Sequence, residues 1–219
     1  METKNNKLFL GGISAEKLIK EYGSPLYVYE EEVIRRRFLD LKENIGHSRL
    51  KIYYACKANT NIEILKLLRS LGTFVETVSV GEVMASLKAG FKPDQIMFTC
   101  DNISSDELKF LIKKGIKINI DSLSQLEKYG KLNTGASVGL RINQGIGAGE
   151  HEHIITGGPD SKFGIYHTQI WEAKRIAEEQ NLTISGVHQH IGSNILDEAI
   201  FLEAMDAILG TARKFEDLK

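Results

Sequence analysis

The chain has 219 residues, 42% hydrophobic and 26% charged, with 28 Lys and Arg against 29 Asp and Glu for a net charge of −1. This is an ordinary globular composition with one domain as the default, and a near-neutral balance without a basic stripe argues against a nucleic-acid partner. No apolar run approaches the roughly 18 residues that a membrane span needs, the start is too briefly apolar for a signal peptide, and the distant pair Cys56 and Cys100 suits a reducing compartment rather than zinc or a disulfide framework. The expectation is a cytoplasmic protein whose partners are small molecules or other subunits, without a membrane.

Residues 1–25 read as a helix with its lead-in, and 26–219 as one further domain. From Lys51 onward, β-rich runs alternate with helical patterns that carry their own start and stop signals. The first strand reads Lys51 to Cys56 and delivers Lys57; Asn61 then caps a helix bearing Ile64, Leu65, Leu68 and Leu71 that ends at Gly72. Thr73 to Val78 is the second strand, and Ser79 with Glu82 forms a capping box for a helix ending at Gly90. Gln95 to Cys100 follows, then a helix opened by Ser104 and Glu107 and closed at Gly115. Ile116 to Asp121 leads to a helix opened by Ser122 and Gln125 that runs through Leu126 to Gly130, and the last strands read Ser137 to Asn143 and Thr183 to His190.

The first five strands recur about every 21 or 22 residues. Strand-helix-strand units of that length call for parallel strands joined by right-handed crossovers, in a TIM-type (β/α) barrel or a doubly wound sheet. A doubly wound nucleotide fold wants a glycine fingerprint after its first strand, and Lys57-Ala58-Asn59-Thr60-Asn61 has none, which favours the barrel. In such barrels functional residues gather at the C-terminal strand ends, here Lys57, Glu76, Asp101, Asp121, Arg141 and His190.

Three stretches carry the chemistry. A lysine between an apolar run and a polar turn is open to partial desolvation, which favours the free amine that attacks an aldehyde to form a Schiff base; the alternative for Lys57 is a solvated strand-end charge. The gap between the fifth and sixth strands, from Arg141 through Gly145, Gly147, Gly149, His151, His153 and Thr156 to Gly164, is Gly-rich and polar, suited to approach a ligand or else a solvated insertion. Its two histidines lack a third ligand and read as exposed loop residues, so no metal is expected. In His188-Gln189-His190-Ile191-Gly192-Ser193, an imidazole at a strand end can stack on a flat ring, and Ser193 near a helix N-terminus can meet a phosphate; two histidines so spaced also read as a metal pair or as capping residues.

Taken together, Tyr54-Ala55-Cys56-Lys57-Ala58-Asn59, Val75-Glu76-Thr77-Val78-Ser79-Val80-Gly81-Glu82, the Arg141 to Gly164 loop and His190-Ile191-Gly192-Ser193 resemble the diaminopimelate decarboxylase family, from about Gly23 to near the end of the chain. That family belongs to the alanine-racemase-like group, with an N-terminal barrel, a C-terminal β-domain and pyridoxal 5'-phosphate (PLP) as cofactor. The resemblance makes Lys57 the residue that holds PLP, His190 the one stacked on its ring and Ser193 a phosphate contact, with Glu76 and Arg141 tuning Lys57; a plain strand-end charge stays open for Glu76 and Arg141. It places Thr156-Gly157-Gly158 with Ser161-Lys162-Phe163-Gly164 among the marks that separate this subfamily from ornithine and arginine decarboxylases. Gln144 departs from the proline usual there.

The implied reaction takes an amino-acid substrate, meso-2,6-diaminopimelate, to L-lysine and carbon dioxide, and the implied assembly of an intact protein is a homodimer. Six strand-helix units are counted where a closed barrel needs eight, and the family's later phosphate loop and β-domain are absent, so a truncated form that does not decarboxylate alone is expected. Two rival readings are a non-catalytic single-barrel PLP carrier and an inactive remnant.

Overall fold

A computed structural model describes residues 1–147, 158 and 161–215. After three short strands, β1 (Glu2–Lys4), β2 (Lys7–Leu10) and β3 (Ile13–Ser14), come helices α1 (Ala15–Tyr22) and α2 (Glu31–Ile45). The main body then alternates β4 (Tyr53–Ala55), α3 (Ile62–Ser70), β5 (Phe74–Thr77), α4 (Val80–Lys88), β6 (Ile96–Thr99), α5 (Ser105–Lys114), β7 (Lys117–Ile120), α6 (Leu123–Leu132) and β8 (Ser137–Asn143). It closes with β9 (Ile165–Tyr166), α7 (Ile170–Glu179), β10 (Thr183–His188) and α8 (Glu198–Ala212).

Six strands pair in parallel in the order β4-β5-β6-β7-β8-β10, each beside its predecessor, while β9 pairs with the end of β8. A doubly wound sheet reverses its strand order at a switch point. Here the order never reverses, which is the progression of a (β/α) barrel. Among the described residues no helix is long and apolar enough to cross a membrane.

The core lies between sheet and helices. Val75, Ile96, Phe98, Ile120 and Leu140 from the strands meet Leu65, Leu108, Leu111, Leu126 and Ile176 from the helices, all buried. Each such side chain contributes about 1.5–3 kcal/mol when fully buried. Each helix offers one stripe because its apolar residues recur at three- and four-residue spacing, as Leu65 and Leu68 do on α3 and Leu108 and Leu111 on α5.

Two helix starts differ from expectation. Ser104 and Glu107 make the reciprocal capping box, but the Glu82 and Gln125 side chains reach one residue further back. Glu82 accepts from the Val78 amide at 2.8 Å and Gln125 from the Asp121 amide at 2.6 Å. Both thereby satisfy the amide at the strand exit, and Ser79 and Ser122 still cap with their hydroxyls. The helix from Ser122 also runs two residues past Gly130, to Leu132.

The lead-in is more than a helix. Residues 2–14 form a small antiparallel sheet, β1-β2-β3, with strands two to four residues long, below the length at which alternation can be read.

Candidate active site

Lys57 stands on a 3-10 turn, Cys56–Ala58, immediately after β4. Asn59 holds the turn: its amide donates to the Cys56 carbonyl at 3.1 Å, its carbonyl accepts from the Tyr54 hydroxyl at 3.4 Å, and its Nδ2 donates to the Tyr29 hydroxyl at 2.8 Å. Cys56 is fully buried and anchors the turn from below. Of the two readings of Lys57, a partly desolvated amine and a solvated strand-end charge, the exposure favours the second: the residue follows buried Cys56 on the turn and is itself exposed.

The strand ends beside it enclose a cavity of about 220 Å³. Of the strand-end residues singled out in the sequence, Lys57, Glu76, Asp101, Arg141 and His190 all line it, joined by Thr99, Phe163 and His188. Asp121 lies behind this lining, 2% exposed, and accepts from Arg141 Nη1 at 2.9 Å and from the Gly164 amide at 2.8 Å. Burial pushes its carboxyl above the ordinary 3.8, held back by the Gly164 amide and Arg141. Ser193 is exposed and is not part of the cavity lining. The following helix starts only at Glu198, and its N-terminus is capped by Asp197, whose side chain accepts from the Ala199 amide at 2.9 Å.

Arg141 is the fixed cation of the site. Its side chain is 11% exposed, and its guanidinium lies 4.8 Å from the centre of the Phe163 ring. Lys162 bridges to Asp101 at 2.9 Å. Gly164 has φ +81°, and a Cβ there would stand 3.0 Å from the Asn143 amide nitrogen and 3.3 Å from the Arg141 carbonyl oxygen, so only glycine lets this segment close against β8. The loop is clamped at its base by Asn143, whose Oδ1 accepts from the Gly145 amide at 2.9 Å and whose Nδ2 donates to the Gly158 carbonyl at 3.1 Å. The stretch 148–157, with His151, His153 and Thr156, lies outside the described residues.

Glu76 and the histidines set the charge. Glu76 Oε1 accepts from the Thr99 hydroxyl at 2.9 Å and lies 3.3 Å from His188 Nε2. Burial raises its carboxyl, yet contacts with His188 and Thr99 and the charge of Lys57 outweigh burial and bring it down to about 2. His190 is lowered from 6.5 to about 4, first by burial and then by the nearby charges of Lys57 and Arg141. It is therefore a neutral imidazole near neutral pH, suited to lie against a flat ring.

His188 entered the sequence reading only as a possible member of a histidine pair and not as a partner of Glu76, although strand periodicity places it on the same side as His190, two residues on. Thr99 gave no signal at all.

The chain matches, over residues 31–218, the model of the family described as "Pyridoxal-dependent decarboxylase, pyridoxal binding domain". It is 40% identical over 213 residues to the diaminopimelate decarboxylase of Methanothermobacter thermautotrophicus, covering 96% of this chain and 50% of that protein. With the Escherichia coli K12 enzyme it shares 36% over 190 residues, 84% of this chain and 44% of the relative. Its fold superposes on diaminopimelate decarboxylase from Helicobacter pylori complexed with L-lysine with a TM-score of 0.86 at 33% identity, covering 91% of this chain and 52% of that one. The chain thus spans about half the length of the relatives it matches. A match running from residue 31 to residue 218, on a parallel barrel-type sheet whose strand ends bring Lys57 and His190 to one cavity, means that this chain belongs to the pyridoxal-binding-domain family of the pyridoxal-dependent decarboxylases.

Proposed function

We propose that this chain binds pyridoxal 5'-phosphate covalently through Lys57 and serves the decarboxylation of meso-2,6-diaminopimelate to L-lysine and carbon dioxide. The observation that carries the reading is the donor set of the cavity: a primary amine, a neutral imidazole, a carboxylate of depressed pKa and a fixed guanidinium within one lining. These fit the group, since an aldehyde needs an amine, a pyridine ring needs a flat uncharged neighbour, and a phosphate needs donors near the mouth. Lys57 supplies the amine from a turn whose backbone is fixed while its side chain is exposed. His190 would pack on the ring. Ser193, exposed three residues further on in the loop after β10, would serve the phosphate.

When bound, the cofactor accepts the electron pair left by the departing carboxylate. The protein's own part is positional: Arg141 and Phe163 form a wall, Glu76 keeps a negative charge in the cavity that holds Lys57, and the loop base clamped by Asn143 shields one side. An amino-acid substrate is supported by the Helicobacter pylori relative, whose structure holds L-lysine. A homodimeric, cytoplasmic intact protein completes the reading and rests on the likeness to biosynthetic decarboxylases.

The test is to mix the chain with PLP, reduce with borohydride and map pyridoxyl adducts by peptide mass spectrometry. A stoichiometric adduct on Lys57 is expected. Adducts scattered over surface lysines, or none, overturn the reading.

A further inference from the structure

A line of polar side chains runs through the inside of the sheet and ends at the cavity. Asn119 on β7 is buried and donates from Nδ2 to Thr99 Oγ1 on β6 at 3.0 Å. Its place depends on Gly139 in the neighbouring strand, where a Cβ would stand 2.1 Å from Asn119 Oδ1. An amide nitrogen can only donate, so the Thr99 hydroxyl takes that bond on a lone pair and has its single proton left for Glu76 Oε1, 2.9 Å away. Glu76 then accepts at Oε1, which faces His188 Nε2 at 3.3 Å. The other ring nitrogen, Nδ1 of His188, is buried with no hydrogen-bond partner among the described residues. The direction of every bond in the line is therefore set from its inner end.

We propose that Thr99 and Asn119 are positioning residues of the Lys57 site: Asn119 orients the Thr99 hydroxyl, and Thr99 holds Glu76 as an ionised acceptor that keeps the His188 proton on Nε2. The charged and titratable groups sharing the cavity with Glu76 are Lys57, Asp101, Arg141, His188 and His190. Thr99 is the uncharged donor on Glu76, so replacing it changes the carboxylate without changing any charge. The inference rests on the PLP reading only for its consequence at Lys57.

The experiment compares Thr99→Val, isosteric but without the hydroxyl, with Thr99→Ser, which keeps it. Carbon-detected NMR of labelled Glu side chains follows Glu76 directly. Its titration midpoint is expected to rise by about one unit or more in Thr99→Val and to return to the wild-type value in Thr99→Ser. A carboxylate relieved of a donor is also the stronger counter-ion for a nearby cation, so the pH midpoint of the visible absorbance of the PLP-loaded chain is expected to move up by about half a unit in Thr99→Val and not in Thr99→Ser. A merely structural hydroxyl lowers thermal stability and moves neither midpoint. An unmoved Glu76 titration in Thr99→Val, or an equal shift in Thr99→Ser, overturns the inference. If wild-type Lys57 takes no PLP, the proposed function fails by itself, and the Glu76 titration still decides whether Thr99 holds that carboxylate.

Discussion

Among the described residues two cations, Arg141 and Lys57, line the cavity, and the fold treats them in opposite ways. Arg141 projects from β8, two residues before its end, into the sheet interior, where Asp121 pairs with it, Phe163 covers it and only 11% of its side chain is exposed. Lys57 follows the three-residue strand β4, on a turn, and is exposed. Both line the same cavity. The contrast teaches a division of labour: burial and pairing make a cation rigid and chemically inert, whereas a nucleophile needs a fixed backbone with a side chain left accessible. Arg141 builds the wall against which Lys57 can work.

The sharpest way to break this comparison is to remove the partner of the buried cation. Asp121→Ala leaves Arg141 uncompensated and takes the acceptor from the Gly164 amide, so a loss of about 3–5 kcal/mol is expected in denaturant unfolding. The double variant Asp121→Leu with Arg141→Met removes both charges and is expected to cost less than Asp121→Ala alone, because no unpaired ion is then buried. Equal or greater loss in the double variant would mean that packing rather than charge pairing holds this wall.

A smaller effect is expected at His190, and it appears as a pH dependence. The folded protein resists protonation of this imidazole until about pH 4, whereas the unfolded chain takes up the proton near the ordinary 6.5. The unfolded state therefore binds more protons between these values, so stability falls as pH drops from 6.5 to 4 and the contribution is fully lost below that. His190→Phe, which keeps a flat ring, is expected to flatten the slope of Tm against pH in that window. An unchanged slope would assign the acid sensitivity to other groups.

The strand ends were legible in the sequence because two signals agreed. The period of the strand-helix units fixed where each strand stops, and the residue at each stop was chemically unlike its surroundings, as Lys57 is after Tyr53-Tyr54-Ala55-Cys56. Parallel strands in unbroken order then had to bring those stops to one rim. What stayed hidden lacked one signal or the other. Thr99 and Asn119 fall within β-rich runs of the sequence, where Thr is an ordinary β-former, and their joint role depends on cross-strand register and on Gly139 two strands from Thr99. The β1-β2-β3 sheet hides for a different reason: residues 1–30 include no buried residue, so no hydrophobic alternation marks the strands. The sequence left Lys57 open between a partly desolvated amine and a solvated strand-end charge, because strand propensity gives no hint that the chain leaves the strand by a 3-10 turn on which the lysine is exposed.

The other cation gives the smallest stability effect and so closes the comparison. Lys57→Met keeps most of the side-chain length and removes the amine. Because Lys57 is exposed and its turn is held by Asn59, Tyr54 and Tyr29 rather than by its own side chain, the change in unfolding free energy is expected to stay within about 0.5 kcal/mol. The pyridoxyl adduct at this position is expected to vanish entirely. If Lys57→Met instead destabilised the chain as much as Asp121→Ala does, the lysine would be a structural counter-ion to Glu76, and the two cations would differ in exposure but not in role.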